Sequence, residues 1–168
     1  MKQPCFEIQA RVGGQYNISS NFRSIYQTWS PVYQLELSSG NIKGVYGWLN
    51  GGWTGCNGHT TQFDSKTKVS IVPLSAGLKY AFYENKYMFF YVGAGASYTH
   101  LFVHDYSPFH SYSKQWHWGC VAKSGIRFFM PAGTFSELFI DYNYLPFSFN
   151  HSIDVGGLLI GLSFGWSL

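Results

Sequence analysis

IVPLSAGLKYAFYENKYMFFYVGAGASYTHLFV, residues 71–103, alternates large apolar residues with small or polar ones on either side of a short polar break. Successive side chains of a strand point to opposite faces, so each half reads as a two-faced β-strand. One face takes Val72, Leu74, Ala76, Leu78, Tyr80 and Phe82, then Phe90, Val92, Ala94, Ala96 and Tyr98. The other takes Gly77 and Lys79, then Gly93, Gly95 and Ser97. Tyr83 to Lys86 form the tight turn of a hairpin.

The same period runs outward in both directions. It predicts eight strands, at 5–14, 31–38, 41–52, 68–82, 87–103, 115–130, 134–146 and 154–168. Ser39-Gly40, Tyr83 to Lys86 and Pro131 to Gly133 are tight connections, whereas 15–30, 53–67, 104–114 and 147–153 are long and rich in Ser, Asn, Gly and His. Short turns alternating with long loops, with an even strand number, describe an up-and-down antiparallel barrel.

Across all eight strands one face is apolar and aromatic. The opposite face collects Glu7, Arg11, Glu36, Lys43, Lys79, Lys123, Arg127, Glu137 and Asp141, interleaved with Gly and Ser. An eight-stranded lumen is only just wide enough for side chains to fill, so the bulky face is expected to point outward to lipid and the charges inward. A two-residue turn at Ser39-Gly40 would set Glu36 opposite Lys43, and the turn at Pro131 would pair Arg127 with Glu137 and Lys123 with Asp141. Lys79 is expected to reach Glu7 or Glu36 across the lumen. Paired charges would offset the cost of burial, so the interior reads as plugged.

Composition agrees. Of 168 residues 20% are aromatic and only 11% charged, with 19 Gly, which favours strands and turns over helices. No stretch approaches the length of a transmembrane helix, and a membrane strand needs only about 9–11 residues with alternate ones apolar, which averages to a bland hydropathy. MKQPCFEIQA carries no apolar signal region, so the chain is read as a mature protein of one domain, 1–168, with a start Met in place of a removed signal peptide. Cys5, Cys56 and Cys120 are odd in number and far apart, which makes neither a disulfide framework nor a metal set. A net charge of +3, dispersed along the chain, argues against nucleic acid.

The Pro-led strand ending in Gly77-Leu78-Lys79-Tyr80-Ala81-Phe82, the short polar turn, and the run from Tyr91 through Val92-Gly93-Ala94-Gly95 to Tyr98-Thr99 resemble the central hairpin of the OmpA/OmpW-like outer-membrane β-barrel superfamily. Trp118-Gly119 through Gly125 continues the similarity, and GGLLIGLSFGWSL at 156–168 resembles the terminal insertion signal of such barrels, with Leu168 where an aromatic is commoner. The resemblance implies a place in the bacterial outer membrane, among its lipids and lipopolysaccharide, and a monomer is expected there. The alternation of short turns and long loops sets both termini in the periplasm and the long loops outside. Fold does not fix function, so the role has to come from particular residues.

No catalytic, metal or cofactor site is expected. His110-Ser111 and His151-Ser152 are adjacent pairs that would point apart, unlike the His-x-Ser pattern of lipid A deacylases. His100, His104, His110, His117 and Asp105 surround the third long loop without diagnostic metal spacing, and Cys56 with His59 fares no better. Loop aromatics remain as a candidate binding surface for a host or surface ligand: Tyr26 and Trp29 in the first loop, with Tyr16 and Phe22, and Tyr106, Phe109 and Tyr112 in the third. The expected role is a non-enzymatic membrane anchor whose loops bind or shield. A narrow conduit for small or apolar solutes is the alternative, and a lipid A-modifying enzyme comes third.

Overall fold

A computed structural model describes residues 6–24, 26–59, 66–84, 87–105, 112–148 and 152–168. Eight strands close into one barrel: β1 (Phe6–Asn17), β2 (Trp29–Ile42), β3 (Val45–His59), β4 (Lys66–Glu84), β5 (Met88–Asp105), β6 (Tyr112–Phe129), β7 (Thr134–Tyr144) and β10 (Gly157–Ser167). Every pairing is antiparallel between chain neighbours, and β1 closes against β10. Between β7 and β10 lies a small separate hairpin, β8 (Pro146–Ser148) and β9 (Ser152–Asp154). A four-residue helix, α1 (Ser20–Arg23), sits in the first connection. Among the described residues no helix is long and apolar enough to cross a membrane.

Leu35, Leu74, Leu78, Val92, Leu138, Ile140, Ile160 and Leu162 are exposed around the middle of the wall. Exposed rings flank them. Phe82, Phe128, Phe164 and Trp166 stand toward the short turns, and Trp29, Tyr33, Trp53, Trp116, Trp118 and Tyr144 toward the long connections. An outward apolar band between two aromatic girdles is the surface of a barrel solvated by lipid.

The turn between β2 and β3 corrects the sequence expectation. It lies at Lys43-Gly44, not Ser39-Gly40: Ile42 pairs with Val45, and both central residues have positive φ, 56° and 86°. Those angles define the two-residue turn whose twist suits a hairpin. Gly40, at φ 77°, lies in a bulge where the stretch from Ser39 to Ile42 opposes one residue fewer on β3. Glu36 consequently faces Asn50, and Lys43 is exposed at the tip of the turn, outside the lumen. The new register has the opposite parity, which turns β3 over. Tyr46 and Trp48, expected on the lipid side, are buried inside the barrel.

The interior also holds more large side chains than expected, among them Phe89, Tyr91, Phe135 and Phe139. Glycines make the room. A Cβ on Gly77 or Gly95 would lie 2.8 or 2.6 Å from the Trp48 ring, and one on Gly161 2.7 Å from Phe139. A narrow lumen accepts a ring wherever the facing residue has no side chain.

Strands outlast their expected limits most on β3, which continues through Thr54, Cys56 and Gly58 to His59 against β4. These Gly-, Asn- and Thr-rich residues read locally as loop. They are strand because a long β4 offers its partner groups across the gap.

Candidate functional site

Eight of the nine residues assigned to the lumen meet there, four cations and four anions, all buried. Alternation on β1, β2, β4, β6 and β7 aims them at one axis, and the β6–β7 register sets Arg127 opposite Glu137 and Lys123 opposite Asp141. Toward the short turns, the Arg127 guanidinium donates to Glu7 at 2.7 Å, to Glu137 at 3.0 and 3.2 Å and to Gln9 at 3.3 Å. Its plane lies 3.9 Å from the Phe135 ring centre. Tyr91 donates its hydroxyl to the other Glu137 oxygen at 2.8 Å.

Glu36 is the hub of the second group. It accepts from Lys79 at 2.8 Å and Lys123 at 2.7 Å, and Arg11 Nη1 lies 3.3 Å away. Of the two acids expected for Lys79, the structure supplies Glu36. Arg11 and Lys123 also share Asp141, at 2.8 and 3.2 Å. Aromatic faces complete the cations' surroundings, with Arg11 over Phe139 at 3.8 Å and Lys123 over Trp48 at 4.5 Å. Arg11 Nε, 3.9 Å from Glu137, joins the two groups into one network.

Rings are packed among these charges, and an apolar cluster closes the network toward the long connections. Tyr46, Ala81, Phe89 and Tyr91 pack together toward the short turns. Toward the long connections the mouth is filled by Phe22, Cys56, Val69, Ile71, Leu101, Leu145 and Val155. Phe22 comes from α1, where Ser19 Oγ accepts from its backbone N–H at 3.4 Å. Arg23 ties the helix to the wall by donating to the Tyr16 hydroxyl at 2.7 Å. Asn17 donates to the Gln27 carbonyl at 2.7 Å, so the first connection folds back over the lumen. Periodicity missed this stopper because α1 is too short to show a helical pattern; the only signal was Ser19 ahead of an aromatic.

Of Tyr26, Trp29, Tyr106, Phe109 and Tyr112, the expected aromatic loop surface, only Tyr26 and Trp29 have described side chains, and these two stand apart. Tyr26 stacks on Phe22 with centroids 4.6 Å apart and bridges Gly58, so it packs into the mouth, where burial of its ring is favourable. Trp29 stands on the outer wall, edge-on to Tyr16 at 5.4 Å. Tyr112 opens β6. Tyr106 and Phe109 lie outside the described residues, as do His110, Ser111, His151 and Cys5. His100 and His104 share the outer face of β5, whereas His117 faces the interior beside Gln115, 3.2 Å away. Among the described residues no three His, Cys, Asp or Glu side chains gather as metal ligands. Cys56 is buried in the mouth with Ser30 Oγ at 2.9 Å, and Cys120 is exposed on the outer wall.

No family model and no curated protein matches the chain. Solved structures match it by shape. Neisserial surface protein A superposes with a TM-score of 0.70 over 97% of each chain, at 16% identity. OprG of Pseudomonas aeruginosa gives 0.71 over 99% of this chain and 98% of its own, at 14% identity. Ail of Yersinia pestis, in complex with the heparin analogue sucrose octasulfate, gives 0.66 over 98% and 99%, at 12% identity. Identities this low carry the fold alone.

Proposed function

We propose that this chain, a small outer-membrane β-barrel by fold, is a closed membrane anchor that works at its surface and not through its lumen. In this reading the short turns and both termini face the periplasm, the long connections face outward, and the barrel is a non-enzymatic monomer. The observation that carries it is the filled interior: a charge-balanced network of eight residues with rings packed among it and an apolar cluster over it at the mouth. An ion entering would have to displace pairs whose partners are already desolvated, and an apolar solute would have to cross the charges. Binding or shielding then falls to the outer wall and the long-connection end.

Planar-bilayer recording on the refolded protein tests this. The expected result is no steady conductance. Stable open current would favour the conduit reading instead, and fatty-acid release from lipid A by the purified barrel would favour the enzymatic one.

A further inference from the structure

The outer wall is uneven on its short-turn half. Outward residues on β1 run Phe6, Ile8, Ala10, Val12, and on β4 Leu78, Ala76, Leu74, so each strand sets one small residue between bulky ones. In register, Ala10 lies between Leu35 of β2 and Phe164 of β10, and Ala76 lies beside Leu49 of β3.

Two apolar grooves result. The first, of about 490 Å³, runs over Ala10 and Gly165, with Ile8 and Leu35 on one side and the Phe164 and Trp166 rings on the other. The second, of about 370 Å³, runs over Gly47 and Ala76 and is lined by Phe6, Leu37 and Leu49. Both volumes fall in the range of ligand pockets, about 300–1,000 Å³. One ridge divides them: Ile8 and Leu37 are cross-strand partners, and Ile8 lines the first groove while Leu37 lines the second.

Both grooves open on the face that meets lipid, so their occupant comes from the membrane. The wall of a second barrel is convex and stiff; it would rest on the ridge and leave the grooves unfilled, forfeiting the contacts that line them. Flexible hydrocarbon chains can fill both. Two strand spacings, about 10 Å, separate the grooves, a gap that the two chains of one lipid straddle. Past the second groove the hairpin of β2 and β3 turns polar, at exposed Ser39 and then at exposed Lys43 on its tip, which sets a headgroup toward the short turns and the chains toward the middle of the wall. The short-turn half of the wall spans the periplasmic leaflet, where the two-chain lipid is a phospholipid. We propose that the two grooves hold the two acyl chains of one periplasmic-leaflet phospholipid, seated astride Ile8 and Leu37. This rests on the outer-membrane orientation given above.

Native mass spectrometry of the barrel refolded in neutral detergent, titrated with diacyl phosphatidylethanolamine, with its single-chain lyso form and with lipid A, tests the site. One diacyl lipid is expected to be retained per barrel, about tenfold more tightly than the lyso form. Ala10→Phe and Ala76→Phe each fill one groove from the lipid side and leave the interior untouched. Either should bring the diacyl lipid down to the affinity of the lyso form, since one groove then remains. Ala122→Phe, an outward small residue on β6 away from both grooves, should bind as the parent does. Equal retention of the two phospholipids by the parent, unaffected groove variants, an equal loss in Ala122→Phe, or a barrel dimer that Ala10→Phe dissolves would each overturn the proposal. The failures are distinguishable: a folded barrel with no preference for two chains loses only the site, a groove-dependent preference for lipid A reverses the orientation as well, and a chain that stays soluble without detergent loses the membrane reading altogether.

Discussion

The middle of the lumen is closed by charge and its mouth by apolar contact, and the two closures respond differently to damage. In the middle each carboxylate answers several cations, with Glu36 alone serving Lys79, Lys123 and Arg11. Removing one partner strands the others in a dry interior, where an unanswered charge costs far more than the pair gained. At the mouth Phe22 belongs to a connection held to the wall by a few hydrogen bonds, and not to a barrel strand. The middle is therefore expected to close all-or-none, and the Phe22 segment of the mouth to open locally.

The largest effect should therefore come from Glu36→Ala. We expect a loss of about 3–5 kcal/mol, read from the urea midpoint of unfolding in detergent. A second change, Lys79→Met, should restore part of it by removing one stranded cation. A loss below about 1 kcal/mol would break the contrast, since it would mean that water reaches the network.

Next comes packing in the same layer. A Cβ at Gly125 would lie 2.6 Å from the Tyr91 hydroxyl, which is held by Glu137. Gly125→Leu should cost about 1–3 kcal/mol by overfilling, while Gly51→Ala, whose new methyl would meet nothing nearer than Leu74 at 4.0 Å, should be tolerated. Equal effects at the two glycines would sink the view that interior glycines are seats for rings.

These seats also show where the sequence was legible. Strand number, strand order and the inward aim of Arg11, Lys123, Arg127, Glu137 and Asp141 follow from alternation, because a one-residue error on those strands would put charges into lipid. The β6–β7 register was readable since Pro131 and Gly133 mark the turn. On β2 and β3 the signal was ambiguous. Ser39-Gly40 has the chemistry of a turn, but Gly40 serves a bulge, and Lys43 takes positive φ without the Asn or Asp that usually announces it. Alternation could not arbitrate, because both faces of β3 carry rings. Trp48 belongs inside only because Gly77 and Gly95 lie beside it, a relation between strands that no single strand reveals. The mouth was illegible for a similar reason: Phe22 and Tyr26 are loop residues by local sequence, and only the barrel end supplies their contacts.

Phe22→Ala sharpens the comparison from the other side. Because α1 is expected to detach alone, the unfolding midpoint should move by less than about 1 kcal/mol, well below the usual cost of truncating a core Phe. Access should change instead. In a Cys5→Ser, Cys120→Ser background, Cys56 lies under Phe22 in the mouth cluster, and its alkylation by a small membrane-impermeant reagent should speed at least about tenfold, the equivalent of 1.4 kcal/mol in the opening equilibrium. Unchanged labelling with a large loss of stability would mean that the mouth and the middle close as one unit.

The smallest effect separates two lysines that looked alike in the sequence. Lys43 sits exposed at a turn with φ 56°, whereas Lys123 is buried between Glu36 and Asp141. Lys43→Gln should stay within about 0.5 kcal/mol of the parent, and Lys43→Asn could gain slightly, since Asn accepts left-handed angles better. Lys123→Gln should lose several kilocalories, because two carboxylates would then share too few cations. If Lys43→Gln proved as costly as Lys123→Gln, the turn at Lys43-Gly44 would be wrong, and with it the parity that sends Trp48 inward.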